Sequence, residues 1–209
     1  MAASYVALIA DVIASRQLSP ARRAALQRDL RRVLPEWSRR WHSSLAARFA
    51  VTQGDEIECL LKHATAIWEI AHVLRTRFAD VDWTVACGQG PVSTPLSRGI
   101  TAPEVDGPCF HLARAAVADA KARRLLFAFA GFGERQPLLL GLASYYSALY
   151  WAWTPRQRTA AAWLRTGPPG DAARALRIDR SAVSHLARRM AWPLVRAGDA
   201  MFGAALGAP

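Results

Sequence analysis

The chain has few cysteines, and their placement argues against the covalent and metal links that hold many small domains together. Cys59, Cys87 and Cys109 are the cysteines among its 209 residues; their number is odd, and none is paired with a histidine at zinc-ligand spacing. This pattern favours free thiols in a reducing compartment over a disulfide framework or a zinc site. We therefore expect a cytoplasmic protein.

Long apolar runs are missing as well. The most apolar stretch, residues 138–153, is too short and too rich in Tyr and Ser to cross a bilayer. The first residues lack a basic segment and reach a charge at Asp11, so the sequence predicts no signal peptide. We expect a soluble chain with no membrane partner.

Acidic residues are the third deficit. Sixteen Asp and Glu stand against 27 Lys and Arg, which gives a net charge of +11. Such a balance predicts an anionic partner such as nucleic acid or a membrane surface, although an arginine-rich composition also accompanies GC-rich coding. Residues 1–133 carry 17 basic and 12 acidic residues, whereas residues 134–209 carry 10 and 4. The C-terminal part is therefore the more basic per residue.

What is present is enough apolar material for a core. Hydrophobic residues make up 52% of the chain, and its length suits one domain of ordinary size plus a small one. Apolar periodicity over residues 1–133 predicts the order strand, helix, strand, strand, helix, strand, helix, strand. The predicted strands cover residues 5–10, 48–53, 57–61, 81–87 and 125–129, and the predicted helices cover residues 19–48, 63–78 and 108–121, with a kink or break at Pro35.

This order predicts an α+β fold. We expect a ferredoxin-like palm domain over residues 1–133, with an antiparallel sheet and helices on one face. Residues 134–209 show no convincing strand, so they are expected to form an all-helical domain. Within it, a helix-turn-helix is predicted at about residues 154–190.

Acidic residues mark two neighbouring points of the predicted sheet. Asp11 ends the first strand, and Gly54, Asp55 and Glu56 form the tip of the predicted hairpin. Oxygen ligands and substrate phosphates suit Mg²⁺, and two carboxylates on adjacent strands repel each other unless a cation or protons intervene. The pattern thus predicts a magnesium site at Asp11, Asp55 and Glu56. Asp55 is equally explained as a turn residue, because Gly-Asp is ordinary turn chemistry.

Three segments carry a resemblance to known proteins: residues 8–16, residues 49–56 and residues 106–116. Together they resemble the SatD family of small bacterial proteins. They are also similar to class III nucleotide cyclases and, more distantly, to GGDEF domains, which makes the expected domain nucleotide-cyclase-like. This resemblance implies metal binding by Asp11 and Asp55. It also implies a nucleotide site, whose residues would be Gly54, Gly88, Gly90, His111 and Arg114.

One departure from the cyclases bears on catalysis. Their third helix carries an Asn followed four residues later by an Arg, whereas this chain has His111 followed three residues later by Arg114. Both residues still share a helical face. The missing Asn predicts no cyclisation of ATP or GTP. The alternative to a cyclase is a catalytic fold that is kept only for binding. His111 is also explained as a histidine that packs the helix.

A second motif lies at residues 170–189. Ala173 is the small residue where two helices would cross, Asp179 is a candidate N-cap, and Arg177 stands where a tight turn usually has Gly. With the preceding segment, the motif resembles the DNA readers of sigma-factor region four. The expected DNA contacts are Arg174, Arg180, Ser181, Ser184, His185, Arg188 and Arg189. A helical hairpin used only for packing or dimerisation is the alternative.

An aromatic run, Tyr145, Tyr146, Tyr150, Trp151 and Trp153, is expected to form core between the two domains or a dimer seam, with ligand stacking as a further option. Taken together, the sequence predicts a homodimeric, DNA-binding transcriptional regulator with a nucleotide- or Mg²⁺-binding sensor domain. Two alternatives stay open: a metal-dependent nucleotidyl-transfer or cyclase-like enzyme, and a catalytically inactive scaffold.

Overall fold

The structure, a computed structural model, describes residues 3–52 and 54–207. Its five strands are β1 (Tyr5–Val12), β2 (Leu45–Val51), β3 (Ile57–Leu61), β4 (Trp83–Gly90) and β5 (Phe127–Ala130). Its α-helices are α1 (Pro20–Arg40), α2 (Ile67–Arg77), α3 (Pro108–Arg123), α4 (Gln136–Ala152), α5 (Pro155–Thr166), α6 (Pro169–Leu176), α7 (Arg180–Arg189) and α8 (Trp192–Ala205). The fold is α+β, as expected.

The strands form one sheet in the order β2-β3-β1-β4-β5. The first four strands pair antiparallel throughout, whereas β5 runs parallel to β4. The expectation of a purely antiparallel sheet is therefore wrong at this edge. The physical reason is the connection: β4 and β5 are joined across α3, and a helical crossover returns the chain in the same direction.

Helices cover both faces of the sheet, not one. Alternate residues of β1 divide between two cores: Leu8 and Ala10 pack in the larger one, and Ala7 and Ile9 in the smaller one. The larger core also receives the apolar faces of α1, α2, α4 and α8. The smaller core receives α3. Both faces of β1 are apolar, so its sequence shows no alternation of apolar and polar residues. The sequence therefore does not indicate that each face is covered by helices.

The first helix is shorter than the sequence suggests. It ends at Arg40 rather than near residue 48, and β2 begins at Leu45. Helix α1 is continuous through Pro35, whose ring lies on the exposed side. The predicted second strand ran to Gln53, which lies outside the described residues.

The C-terminal segment is helical, as predicted, over the residues described. Tyr146, Tyr150 and Trp153 are buried in the larger core, which confirms the core interpretation for these members of the aromatic run, whereas Tyr145 is exposed. Phe202 of α8 packs against Phe127 of β5. The larger core is thus continuous across residue 133. No helix in the described part of the chain is both long and apolar enough to span a membrane.

Two buried arginines tie elements of the fold together, one between a helix and the sheet and the other between two helices. Arg75 of α2 donates to the backbone oxygens of Trp83, at 3.0 Å, and Leu126, at 2.9 Å. Arg165 of α5 forms a bidentate pair with Asp199 of α8, with Nε–Oδ2 at 2.8 Å and Nη2–Oδ1 at 3.0 Å. The two side chains are 2% and 7% exposed. Removing one partner would leave the other as an uncompensated buried charge.

Asp199→Asn is therefore expected to lower the free energy of unfolding by about 3–5 kcal/mol. The matched control is Asp29→Asn, which breaks the exposed pair of Asp29 with Arg32 on α1 and is expected to cost less than about 1 kcal/mol. Urea unfolding followed by circular dichroism measures both. Equal losses in the two variants would contradict a structural role for the Arg165–Asp199 pair.

Candidate functional site

Asp11 lies at the end of β1 on the face that α3 covers. Ala10 pairs with Ile57 of β3, so the next residues of the two strands, Asp11 and Glu56, are neighbours. The Asp11 side chain is buried, and the Lys121 Nζ of α3 lies 2.8 Å from its Oδ2. Burial raises the pKa of Asp11, Lys121 acts against that shift, and the nearby charges of Asp55 and Glu56 raise the pKa further. The structure therefore brings the three predicted metal ligands into one neighbourhood.

The hairpin tip is held by its own side chains. Gly54 has a φ of 67°, a left-handed conformation that glycine adopts without strain. Across the turn, the Thr52 hydroxyl donates to Glu56 Oε1 at 2.8 Å. Asp55 Oδ2 is buried and has no hydrogen-bond partner within the described chain. An unpartnered buried carboxylate oxygen is costly unless a donor or cation meets it.

A fourth acidic residue, Glu58, lies deeper on the same face. Its side chain is 3% exposed, and Arg114 of α3 donates to it and also contacts Glu56, with Nη1–Oε1 at 3.3 Å. Burial raises the pKa of Glu58 to about 7, Arg114 opposes the shift, and Glu56 adds to it. Glu58 thus titrates near neutrality beside a guanidinium.

The charges of this acidic cleft, defined by Asp11, Asp55, Glu56 and Glu58, do not balance. Lys121 and Arg114 are the cations paired with it. Two cations thus face four carboxyl groups, of which Glu58 titrates at about 7, and a divalent ion would neutralise the negative charge that remains. Residues 3–52 and 54–207 contain no group of three or more His, Cys, Asp or Glu side chains placed to hold a metal by themselves. Mg²⁺ does not need such a group, since it commonly binds one or two carboxylates plus phosphates and water.

Two cavities flank the cleft. One, of about 460 Å³, is lined by Asp11, the loop that follows β1, and three cationic side chains: Arg16, Lys121 and Arg124. The other, of about 630 Å³, is lined by Glu58, Arg114 and His111 among others. Each cavity therefore combines a carboxylate with cations, the groups that contact a metal-bound phosphate.

The predicted nucleotide-binding glycines have a packing role. A Cβ on Gly88 would lie 2.1 Å from the Cys109 backbone oxygen, so only glycine lets α3 lie this close to β4. A Cβ on Gly90 would lie 3.3 Å from the Cys109 nitrogen. His111 is exposed, and its Nε2 lies 3.0 Å from Asp106 Oδ1. Nucleotide binding by these residues stays a prediction.

A family model described as the SatD family matches residues 5–123, from β1 to the end of α3. The chain belongs to the SatD family. No curated protein matches it. The match contains every residue of the acidic cleft, whereas α4 to α8 lie beyond it.

Sequence reasoning missed Glu58 and Lys121. Glu58 carried a signal, because it is a charged residue inside an apolar strand, and the even-numbered positions of β3 face α3. Lys121 follows Arg114 by two helical turns, which places both on one side of α3. The sequence predicts a role in nucleotide binding for α3 only at His111 and Arg114.

A second candidate surface lies on α6 and α7. Ala172, Ala173 and Val183 form a small core between these helices. Arg177, between the helices, has a φ of 52°, so a non-glycine residue does occupy the left-handed turn. Asp179 caps α7 by accepting from the Ala182 backbone at 2.7 Å.

The polar side of α7 faces solvent. All seven predicted DNA contacts are exposed: Arg174, Arg180, Ser181, Ser184, His185, Arg188 and Arg189. Some have local partners, since Arg174 pairs with Asp171 and the Ser184 hydroxyl donates to the Arg180 carbonyl. These contacts leave the guanidinium groups of α7 accessible to a ligand.

The raised pKa of Glu58 makes stability depend on pH. In the folded chain Glu58 stays protonated between its ordinary pKa of 4.5 and about 7, where the unfolded chain has lost the proton. Its stabilising contribution is thus complete below pH 4.5 and is lost as the pH rises through about 7. The stability of the wild type minus that of Glu58→Gln should fall over this range in urea titrations. Glu36→Gln, an exposed change on α1, should show no such trend, and a flat Glu58→Gln difference would contradict the assignment.

Proposed function

We propose that this SatD-family protein is a DNA-binding transcriptional regulator whose N-terminal half binds a nucleotide with Mg²⁺ as its signal. The observation that carries the proposal is the α6–α7 unit. Two short helices meet at Ala173, a left-handed residue turns the chain between them, and a capped helix presents a basic, polar side to solvent. This arrangement supports a helix-turn-helix of the sigma-region-four-like kind.

Helix α5 supports the same proposal. Thr154 caps it, and Trp163 and Leu164 pack against the small core of α6 and α7. A helix-turn-helix needs such a supporting helix, because two short helices bury too little apolar surface alone. Residues Arg180 and Arg188 lie two helical turns apart on α7, a spacing that lets both approach one major groove.

The signal-binding half is proposed from the sheet and the cleft. The strand order β2-β3-β1-β4 with antiparallel pairing supports a ferredoxin-like palm, the scaffold of nucleotide cyclases. Asp11 and Asp55 would hold Mg²⁺, which when bound would neutralise phosphate charge. Arg16, Lys121 and Arg124 line the cavity beside Asp11 and would contact the phosphates.

An enzyme is the second candidate, and Glu58 favours it. A carboxyl group with a pKa of about 7 is suited to general acid–base catalysis at neutral pH, and Arg114 beside it could stabilise developing negative charge. This candidate is a metal-dependent nucleotidyl-transfer enzyme. It differs from the cyclases by His111, which stands where they have Asn.

The regulator proposal predicts the effect of two arginines of α7. Arg180→Ala with Arg188→Ala should weaken binding to duplex DNA from the region upstream of the protein's own gene, by about 1–3 kcal/mol for each arginine that reads a guanine edge. Fluorescence anisotropy at two salt concentrations measures this. An arginine that instead contacts phosphate should, when removed, reduce the salt slope by about one unit.

The control is Arg28→Ala with Arg31→Ala, two exposed positions of α1 with the same change in net charge. It should bind nearly as the wild type does. An equal loss of DNA affinity in both double variants would mean that the effect comes only from the lower net charge. Wild-type protein that fails to bind DNA at low salt would refute the DNA-binding proposal.

The cleft yields a separate prediction. ATP or GTP with Mg²⁺ should raise the Tm of the wild type, because a ligand of the folded state stabilises it by mass action. Asp55→Asn should abolish the Mg²⁺-dependent part of this shift, whereas Asp29→Asn should keep it. An unchanged Tm shift in Asp55→Asn would contradict the proposed metal site. Mg²⁺-dependent formation of a cyclic product, lost in Asp11→Ala, would instead establish the enzyme.

A further inference from the structure

A pocket distinct from the acidic cleft lies between α2, α5 and α8, on the opposite face of the sheet. Its volume is about 450 Å³, within the range of small-molecule sites. Helix α2 contributes Trp68 and His72 to its lining, α5 contributes Arg165, and α8 contributes Arg196 and Ala200. We call it the α2–α8 pocket. Among the residues described, none of the acidic cleft, α6 or α7 lines it, so it is independent of the function proposed above.

His72 is a buried polar side chain without a partner. It is 3% exposed, and neither Nδ1 nor Nε2 has a hydrogen-bond partner within the described chain. Burial, and then the positive charges of Arg165, Arg75 and Arg196, hold the pKa of His72 well below its usual range, so the imidazole is neutral. A neutral imidazole offers one N–H donor and one acceptor. A buried donor that stays unpaired is costly, so a ligand group that accepts from this ring is stabilised.

A second, much smaller cavity also borders His72. Its volume is about 10 Å³, and Arg75 and Tyr146 are among its lining residues. Arg75 Nε and the Tyr146 hydroxyl are likewise buried, with no hydrogen-bond partner among the residues described. The cavity has room for about one water molecule, which such polar atoms could bind. It is too small for an organic ligand, so the α2–α8 pocket is the space in which a ligand can meet His72.

The charges that line the α2–α8 pocket select the sign of its ligand. Glu69 pairs with Arg40, with Oε1–Nη2 at 2.6 Å, and Asp199 pairs with Arg165. Arg196 lines the pocket as well, and it forms no ion pair within the described part of the chain. Two acids are thus matched by two arginines, and Arg196 leaves one positive charge over. A cationic ligand would be repelled by this charge, whereas a singly charged anion would neutralise it.

The pocket also has an apolar side. Trp68 is half-buried, and its ring packs against Phe127 and Phe202, with centroid separations of 5.7 Å and 4.6 Å. Ala200 and Ala204 lie one helical turn apart on α8 and also line the pocket, so their small side chains leave room inside it. The apolar body of a ligand can therefore lie here while its charged end meets the polar side chains.

We propose that the α2–α8 pocket binds a small carboxylate with an apolar body, whose carboxylate group accepts hydrogen bonds from His72 and Arg196. The two oxygens of a carboxylate can meet an imidazole N–H and a guanidinium at once. One negative charge matches the one unpaired arginine, whereas a doubly charged phosphate would leave negative charge in a partly buried site. Helix α2 lies within the segment that matches the SatD family, and α5 and α8 lie beyond it. The bound carboxylate therefore contacts both parts of the chain.

Fluorine NMR of para-fluorobenzoate with the full chain tests the proposal. The protein should broaden the probe signal at probe concentrations up to about 10 mM, and unlabelled benzoate should reverse the broadening. Arg196→Gln should weaken the affinity for the probe about tenfold, because a charge-assisted hydrogen bond is lost. Arg31→Gln, an exposed position on α1 with the same change in charge, is the control and should bind the probe as the wild type does.

Ala200→Leu separates the α2–α8 pocket from other basic places on the surface that could hold an anion. Position 200 is exposed, so the variant should fold, and its longer side chain should fill the pocket and abolish binding. Ala197→Leu is the matched control, because Ala197 is exposed on the same helix and does not line the pocket; this variant should bind normally.

His72→Phe distinguishes a ligand-binding histidine from one that only packs the core. The variant keeps an aromatic ring and loses both nitrogens, so it should bind the probe more weakly while its Tm is no lower than that of the wild type. A wild type that leaves the probe signal sharp at about 10 mM would overturn the proposal. So would an affinity unchanged in both Arg196→Gln and Ala200→Leu, which would place the anion elsewhere. Inorganic phosphate that displaces the probe as effectively as benzoate does would contradict the assignment to carboxylates.

Discussion

The close approach of α3 to β4 is the constraint on which the acidic cleft depends. At Gly88 the helix backbone occupies the space that a side chain would need, and this contact sets the distance between helix and sheet. Arg114 and Lys121 project from the same helix, so their reach toward Glu58 and Asp11 follows from that distance. A larger residue at position 88 would displace both cations together. One glycine thereby links backbone packing to the electrostatics of the site.

The acidic cleft lowers the stability of the fold. Buried carboxylates are costly, and the protein offsets the cost with two cations for four acidic groups. The part of this burial cost that is not offset is seen in the raised pKa values of Asp11 and Glu58 and in the unpartnered oxygen of Asp55. Structures keep such unfavourable groups mainly where they serve binding or catalysis. On the opposite face of the sheet, Arg165 pairs with Asp199, and Arg75 donates to backbone oxygens through its Nη atoms while its Nε has no hydrogen-bond partner within the described residues.

The site could be predicted in part. The sequence predicts Asp11 and the Gly54–Glu56 turn as site residues, because a charge at the end of an apolar strand and an acidic turn can both be recognised in the sequence alone. Their neighbourhood follows from strand pairing, which the element order suggested. Glu58 is also visible in the sequence as a charge inside an apolar strand, but its partner Arg114 lies 56 residues away in the chain. Lys121 carries no such signal, because its partner Asp11 lies on another element. The same limit applies to Gly88, whose neighbour is a helix backbone.

The sequence by itself determined the α+β class, the order of strands and helices, the helical C-terminal segment and the family, because these depend on local periodicity and short motifs. Tertiary structure alone decided that α3 lies on the opposite face of the sheet from α1 and α2. It also decided that β5 is parallel to β4, and that Tyr145 is exposed whereas Tyr146 is buried. The physical reason is that a strand with two apolar faces carries no signal for which helix covers which face. Only the packing of the whole chain distributes the helices between the two faces of the sheet.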